Sequence, residues 1–289
     1  MYVDRPYIKV WAIRIPLLME EANSDGRSTV KNLKVYLAIA LCVTFAAFAV
    51  SARAETVRTP QTFKTSDGDV KITPIYHASV LLEAGGKAIY IDPAKPGDFS
   101  GLPKADLILI THAHPDHVDR DVASIKTISK LPTAMWAPSD VFTFANALVT
   151  QLDVITSGET KQFGKFTIET IPAYNMVRGP SAGNFFHPKG VGLGYIIGYG
   201  GKRFYFSGDT EAVPEMKELK NIDVAFVCMN LPYTMTPEEA ADAVKAIHPG
   251  VVIPYHYRGM PETDLNVFKS KLDGSGIEVR LLDWYPKPS

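Results

Sequence analysis

Four side chains able to hold a metal fall within six residues of this sequence. They are His112, His114, Asp116 and His117, in the stretch THAHPDHVD at 111–119. Neutral imidazole nitrogens and carboxylate oxygens are the usual ligands of Zn2+ and similar divalent cations. Two apart in an extended segment, His112 and His114 project to one side and can share one ion. Pro115 interrupts that run and turns the chain, so Asp116 and His117 can face a second ion. Two further ligand types stand at strand ends. Asp209 sits in a Gly-Asp-Thr turn, where Gly208 permits close backbone approach, and His256 ends an apolar run in Pro-Tyr-His-Tyr-Arg. A rigid sheet can aim side chains held at its strand ends. The chemistry that such a set of ligands could support is metal-assisted hydrolysis. Two cations about 3.5–4 Å apart hold a hydroxide between them and lower the pKa of water toward about 7. They also polarise a carbonyl or phosphoryl oxygen. Asp116 can orient the nucleophile or take its proton. No Ser or Cys nucleophile is required, and no G-x-S-x-G elbow is present.

The elements that must hold these residues follow from apolar runs and turn signals. Runs at 70–83 and 87–91 around Gly85-Gly86 predict a β-hairpin. The apolar stretch 106–110 predicts a buried strand that ends on the histidine cluster. A helix is expected over 119–129, with weaker strands at 133–137 and 152–155. Strands at 165–171 and 191–199 follow, the second turning at Gly200-Gly201 into 203–206 and delivering Asp209. After a strand at 222–228, Thr236, Pro237 and Glu239 mark the start of a helix over 237–247, with Thr236 and Glu239 forming a capping box. A strand at 251–255, a helix at 264–272 and a strand at 278–283 complete the chain. The reading is one α/β domain over 55–289, with two sheets and helices outside.

The pattern H-x-H-x-D-H, then a Gly-Asp-Thr aspartate, then a late strand-end histidine resembles the metallo-β-lactamase superfamily of hydrolases. The match covers roughly 70–285. YHASVLLE (76–83), YIDP (90–93), FHPKGVGLGY (186–195), YFSGDTEAVPEM (205–216), YTMTPEEAADA (233–243) and IPYHY (253–257) are similar to a branch containing the ascorbate-phosphate lactonases and the N-acyl-phosphatidylethanolamine phospholipases D. The resemblance implies a single-domain αββα sandwich with two metals in a cleft at one edge of the sheets. Carried over by position, His112 and His114 would bind the first metal. Asp116, His117 and His256 would bind the second, and Asp209 would bridge them. Asp92 would orient a ligand histidine. The superfamily also supplies a third histidine to the first metal. Here Asn175 stands at the corresponding strand end, and His187 is the only histidine between 117 and 248. His187 is the expected replacement, on a loop carrying Gly183 and Gly190; otherwise Asn175 or water fills the place and His187 meets the substrate. The cofactor expected is a pair of Zn2+ ions, with Mn2+ or Fe2+ as alternatives.

The implied reaction is hydrolysis of a small ester, lactone or phosphodiester. The alternatives are a β-lactamase-type amide hydrolase and a non-catalytic metal-binding or sensing protein on the same fold. His77 is read either as a contact near the cleft or as a plain strand histidine, and His248 as a solvated helix-end residue. Tyr174, Phe185, Phe186, Tyr233, Tyr255 and Tyr257 can line a cleft, and Arg178 and Arg258 can meet an anion.

Composition narrows the classes. The 289 residues carry 30 Lys+Arg against 31 Asp+Glu, and 46% are hydrophobic. Such a chain can bury a core, which excludes a disordered protein. It has no basic excess for nucleic acid, so the expected partner is a small molecule. Two cysteines cannot make a disulfide scaffold. Residues 35–50 form sixteen uncharged, largely apolar residues, with Lys31 and Lys34 before them and Ala52-Arg53-Ala54 after. These are the parts of a secretory signal peptide, and sixteen is short of the roughly 20 residues of a membrane span. The reading is a leader over 1–54, no membrane span after its cleavage, and a periplasmic or secreted product. Residues 1–30 are foreign to such a leader, and a start at Val30 would make it compact. The leader holds seven Lys/Arg and four Asp/Glu, so the remaining 235 residues carry net charge −4. They keep one cysteine, Cys228, read as buried and inert.

Overall fold

Period-two burial on both faces is the signature of the central strands. In the computed structural model, Val80, Leu82, Ile89, Ile91, Leu107 and Leu109 point into one apolar cluster, while the intervening Leu81, Tyr90 and Ile108 point into another. A strand covered on both faces reads as continuously apolar, which is why 106–110 was legible. The structure describes residues 59–285 other than 122, 146–150 and 261, so the leader read over 1–54 lies outside the described residues. Among the described residues no helix is long and apolar enough to cross a membrane.

Fourteen strands among the described residues form two seven-stranded sheets. The first runs β1 (Gln61–Thr65), β2 (Gly68–Tyr76), β3 (Ser79–Ala84), β4 (Lys87–Ile91), β5 (Leu107–Leu109), β6 (Ala134–Ala137) and β7 (Gln151–Val154), in that spatial order. The second contains β8 (Thr160–Phe163), β9 (Phe166–Ala173), β10 (Gly192–Tyr199), β11 (Lys202–Phe206), β12 (Val224–Cys228), β13 (Val251–Tyr255) and β14 (Glu278–Val279). Each sheet starts as an antiparallel meander and finishes parallel: β4 to β7 in one, β11 to β14 in the other. Parallel pairs need crossovers, and these carry the helices α1 (Ala123–Ile128), α2 (Ser139–Ala145), α3 (Pro214–Lys217), α4 (Pro237–Ile247) and α5 (Leu265–Lys271). The main core lies between the sheets, where Ile89 and Leu109 are buried with Ile168, Ile197 and Phe204. The outer face of the first sheet buries Leu81, Tyr90 and Ile108 with Ile125 and Ile128 of α1. Ala240, Ala241, Val244 and Ile247 of α4 and Phe268 of α5 join the cluster of the second sheet. The architecture is the expected αββα sandwich in a single domain.

Several expectations are corrected. The run 70–83 is two strands, because the chain reverses at His77-Ala78 with His77 in the left-handed region at φ 56°. No Gly, Pro or Asn marks that turn. The helix expected over 119–129 begins only at Ala123, since the Asp119 carboxylate is engaged by the Lys95 and Ser124 backbone N–H groups. The last strand is two residues long. By contrast, Thr236 and Glu239 form the reciprocal capping box on α4. Cys228 is buried, and burial pushes its thiol up to about 11. His248 is the exposed left-handed C-cap of α4.

Candidate metal centre

The chain ends of β2, β4 and β5 lie along one edge of the first sheet, and those of β9, β11, β12 and β13 along one edge of the second. The His256 N–H donates to the His77 carbonyl at 3.2 Å, joining the two edges. Three residues immediately past these strands hold left-handed backbones: His77, Asp92 (φ 46°) and His256 (φ 47°). For non-glycine residues this conformation costs about 1–2 kcal/mol each. Such strain gathers where side chains must be aimed.

The side chains so aimed converge. Ligand atoms lie within 4.8 Å of one another in three groups, two of which share His112: His112, His114 and His187; His112, His117 and Asp209; and His77, Asp116 and His256. Asp209 faces both sides. Its Oδ1 is 3.3 Å from Nε2 of His117 and of His256, and its Oδ2 is 3.2 Å from Nε2 of His187. The His256 Nε2 is also 3.5 Å from Asp116 Oδ2. All seven residues read from the sequence as candidate ligands therefore meet in one cluster, with His112, His117, His187, Asp209 and His256 each at most 5% exposed. His77 is an eighth member. Its ring sits 3.6 Å from that of His256, and its Nε2 is 3.2 Å from Asp116 Oδ2.

A layer of partners holds the imidazoles. Asp92, fully buried, accepts from Thr111 N–H and Thr111 Oγ1 at 2.7 Å each and from His117 Nδ1 at 2.8 Å. That engages the far ring nitrogen of His117 and turns its Nε2 toward the cluster. Asn175 does the same for His187: its Oδ1 accepts from the His187 backbone N–H at 2.7 Å and from the ring Nδ1 at 2.9 Å. Asn175 in turn donates to Glu211 Oε1 and to the Tyr233 carbonyl. Glu211, 3% exposed, also accepts from the backbone N–H groups of Met176, Val177 and Arg178. It thereby pins the loop after β9. The Asn230 amide lies 3.1 Å from His256 Nδ1, and half a turn of that amide places its otherwise unpartnered Oδ1 as acceptor for Nδ1–H. Tyr285 Oη contacts His77 Nδ1 at 2.5 Å and accepts from the Arg258 N–H.

The donor set fits divalent cations. His187 Nε2 and Asp209 Oδ1 are buried without a hydrogen-bond partner among the described residues. His117 Nε2 and His256 Nε2 lie 3.0 Å apart, as do His112 Nε2 and His114 Nδ1. Where both far nitrogens carry their protons, two lone pairs face each other, and only a cation between them makes that favourable. The charges point the same way. Burial alone would raise the Asp209 carboxyl, but the His256 and His117 imidazoles hold it well below the usual range. Burial likewise opposes ionisation of Asp116, yet hydrogen bonds with His256 and His77 hold it well below the usual range too. Burial disfavours charge on His117, while the Asp209 and Asp92 carboxylates raise its pKa well above the usual value. Burial drives His112 well below its usual value and lowers His77 to about 4.

The other side chains proposed for the cleft separate. Tyr174 and Tyr255 are buried. Arg178 pairs with Glu239 at 2.6 Å. Phe186 and Tyr233 pack edge to face at 4.9 Å, and Arg258 lies over the Tyr285 ring. Glu211, Asn230 and Tyr285 were not singled out from the sequence. Only the adjacency of Glu211 to Gly208-Asp209-Thr210 hinted at a role.

The Beta-lactamase superfamily domain family matches residues 71–256. A metal-dependent hydrolase of Thermus thermophilus is 30% identical over 222 residues, covering 74% of this chain and 96% of that protein. Among solved structures, one from Parabacteroides distasonis, assigned as a metal-dependent hydrolase, has TM-score 0.72 and 37% identity over 79% of this chain and all of the other. A metallo hydrolase from Ignicoccus hospitalis has TM-score 0.61 and 28% identity, covering 76% and 96% of the two chains.

Proposed function

From the premise that this chain belongs to the metallo-β-lactamase superfamily of metal-dependent hydrolases, we propose that it cleaves a small ester, lactone or phosphodiester at the cluster described above. The observation that carries this reading is Asp209. It is one buried carboxylate with an oxygen turned to each side, between histidines from both sheets. His112, His114 and His187 would hold one divalent cation; His117, His256 and Asp116 would hold a second, with Asp209 shared. Divalent cations bound there would supply Lewis acidity and bring the pKa of water near neutrality. His/Asp donors suit Zn2+, and the carboxylates also suit Mn2+ or Fe2+.

The chain's own residues divide the remaining work. Asp92, Asn175 and Asn230 orient imidazoles through the far ring nitrogen. Asp116, with its side chain 48% exposed, stands at the solvent side of the cluster. Kept ionised, it can orient the attacking water or accept its proton, and His77 restrains its Oδ2. The leader read over 1–54 would deliver this activity outside the cytoplasm, and N-terminal sequencing of the purified product tests that.

The functional test is metal analysis of the purified protein together with hydrolysis assays on neutral esters, lactones, phosphodiesters and β-lactams. We expect bound divalent metal and turnover of at least one of the first three classes, both lost in His114→Ala. If His114→Ala left metal content and every activity unchanged, the site would be misassigned. Turnover of β-lactams alone would move the substrate to amides.

A further inference from the structure

We propose that the cavity beside His256 receives the anionic end of an amphiphilic small molecule, selected by the Arg258 guanidinium; that this molecule is the substrate rests on the hydrolase reading above. The cavity, about 380 Å³, is lined by Asn230, Pro232, Tyr233, Arg258, Gly259 and Met260. Asn230 connects it to the metal centre, because the same side chain contacts His256 Nδ1.

The charges near the centre are not equivalent. Arg178 is bound to Glu239 at 2.6 Å and lies 3.6 Å from Glu211, and Lys189 is bound to Glu215. Arg258 makes no ion pair among the described residues. Its guanidinium lies 4.8 Å from the centroid of Tyr285, which carries the cation on an aromatic face and leaves its N–H fork free. Such a fork matches a carboxylate or phosphate group in a way that a lysine does not.

The rim around this cation is apolar. Met260 is 83% and Tyr233 44% exposed, and Phe186 packs on the Tyr233 ring. Large apolar side chains gathered in the open beside a polar centre mark a binding site for a molecule with an apolar body. The frame is preformed. A Cβ at Gly259 would lie 2.5 Å from the Leu231 carbonyl and 2.7 Å from the Asn230 side-chain amide, and Met260 N–H donates to that carbonyl at 2.9 Å. The segment that carries Arg258 is therefore clamped against the loop after β12.

The test uses three probes in calorimetric titration of the full protein: octanoate, acetate (charge without the apolar body) and octanol (the body without the charge). Octanoate is expected to bind at least tenfold more tightly than either. Arg258→Ala should weaken octanoate at least tenfold, and Arg258→Lys should recover part of the loss. Met260→Ser should weaken octanoate but not acetate. The dependence on Arg258 should survive removal of cations by chelation, which separates this pocket from simple carboxylate binding to metal. Octanoate affinity unchanged in Arg258→Ala would overturn the proposal. So would a rim buried in a dimer that Met260→Ser dissociates in sedimentation runs. Octanoate binding that keeps its Arg258 dependence, with no hydrolysis of any substrate class, would refute the hydrolase reading and leave the pocket standing.

Discussion

Replacing Asn175 by alanine should weaken cation binding without removing a cation ligand. Asn175 is 2% exposed, and its Oδ1 meets both N–H groups of His187, the backbone one at 2.7 Å and ring Nδ1 at 2.9 Å. Without that acceptor the His187 ring can swap tautomers and present a protonated Nε2 to His112 and His114. Loss of a group that orients a ligand histidine reduces metal affinity about 10–100-fold, which is about 1.4–2.8 kcal/mol. Folding suffers separately, because the His187 N–H and the Tyr233 carbonyl lose a buried partner. At about 1–3 kcal/mol for each unsatisfied group, the metal-free variant should melt roughly 4–24 °C lower. Metal stoichiometry and calorimetric titration of chelator-treated protein read the first effect, and thermal melting in chelator reads the second. His187→Ala is the reference and should abolish tight binding of one cation. Unchanged metal binding in His187→Ala, with loss in Asn175→Ala, would refute the reasoning and make Asn175 the ligand.

In metal-free protein the raised pKa of His117 makes the protonated form stabilising. That stability is present in full below the ordinary value near 6.5 and lost as pH rises through the raised value. The metal-free melting temperature should therefore fall with rising pH above neutrality. Adding Zn2+ at pH 7 should release protons, seen as a dependence of titration heat on buffer ionisation enthalpy. Gly208→Ala should lower both stability and metal content. Gly208 has φ +60°, and a Cβ there would lie 2.5 Å from the Leu193 carbonyl, displacing the turn that presents Asp209; melting and metal analysis check it. Tyr285→Phe removes the hydroxyl between His77 Nδ1 and the Arg258 N–H. It should destabilise by about 1 kcal/mol and slow turnover while metal content is retained, measured by melting, metal analysis and kinetics.

The cluster 112–117 was legible because its four members fall within six residues and follow an apolar strand. Asp209 and His256 were legible because each ends such a strand. His187 could be reached only as the histidine left over, since the loop between β9 and β10 has no periodic pattern to say where it points. Asn175 was noticed at the right strand end but as a rival to His187. Their partnership is a side-chain geometry that spacing does not encode. Tyr285 lies 208 positions from His77, and no local rule connects residues so far apart. The turn at His77 was hidden for a different reason: its left-handed backbone is imposed by the pairing of β2 with β3 and by the His256 N–H on its carbonyl.

The cluster is shared between sheets. His77, His112, His114, Asp116 and His117 belong to the first, and His187, Asp209 and His256 to the second. Neither half of the chain holds a complete set, and β7 and β8 stand at edges of different sheets. In a chain cleaved between β7 and β8, cation binding would therefore add to the buried core in favouring reassociation of the two pieces.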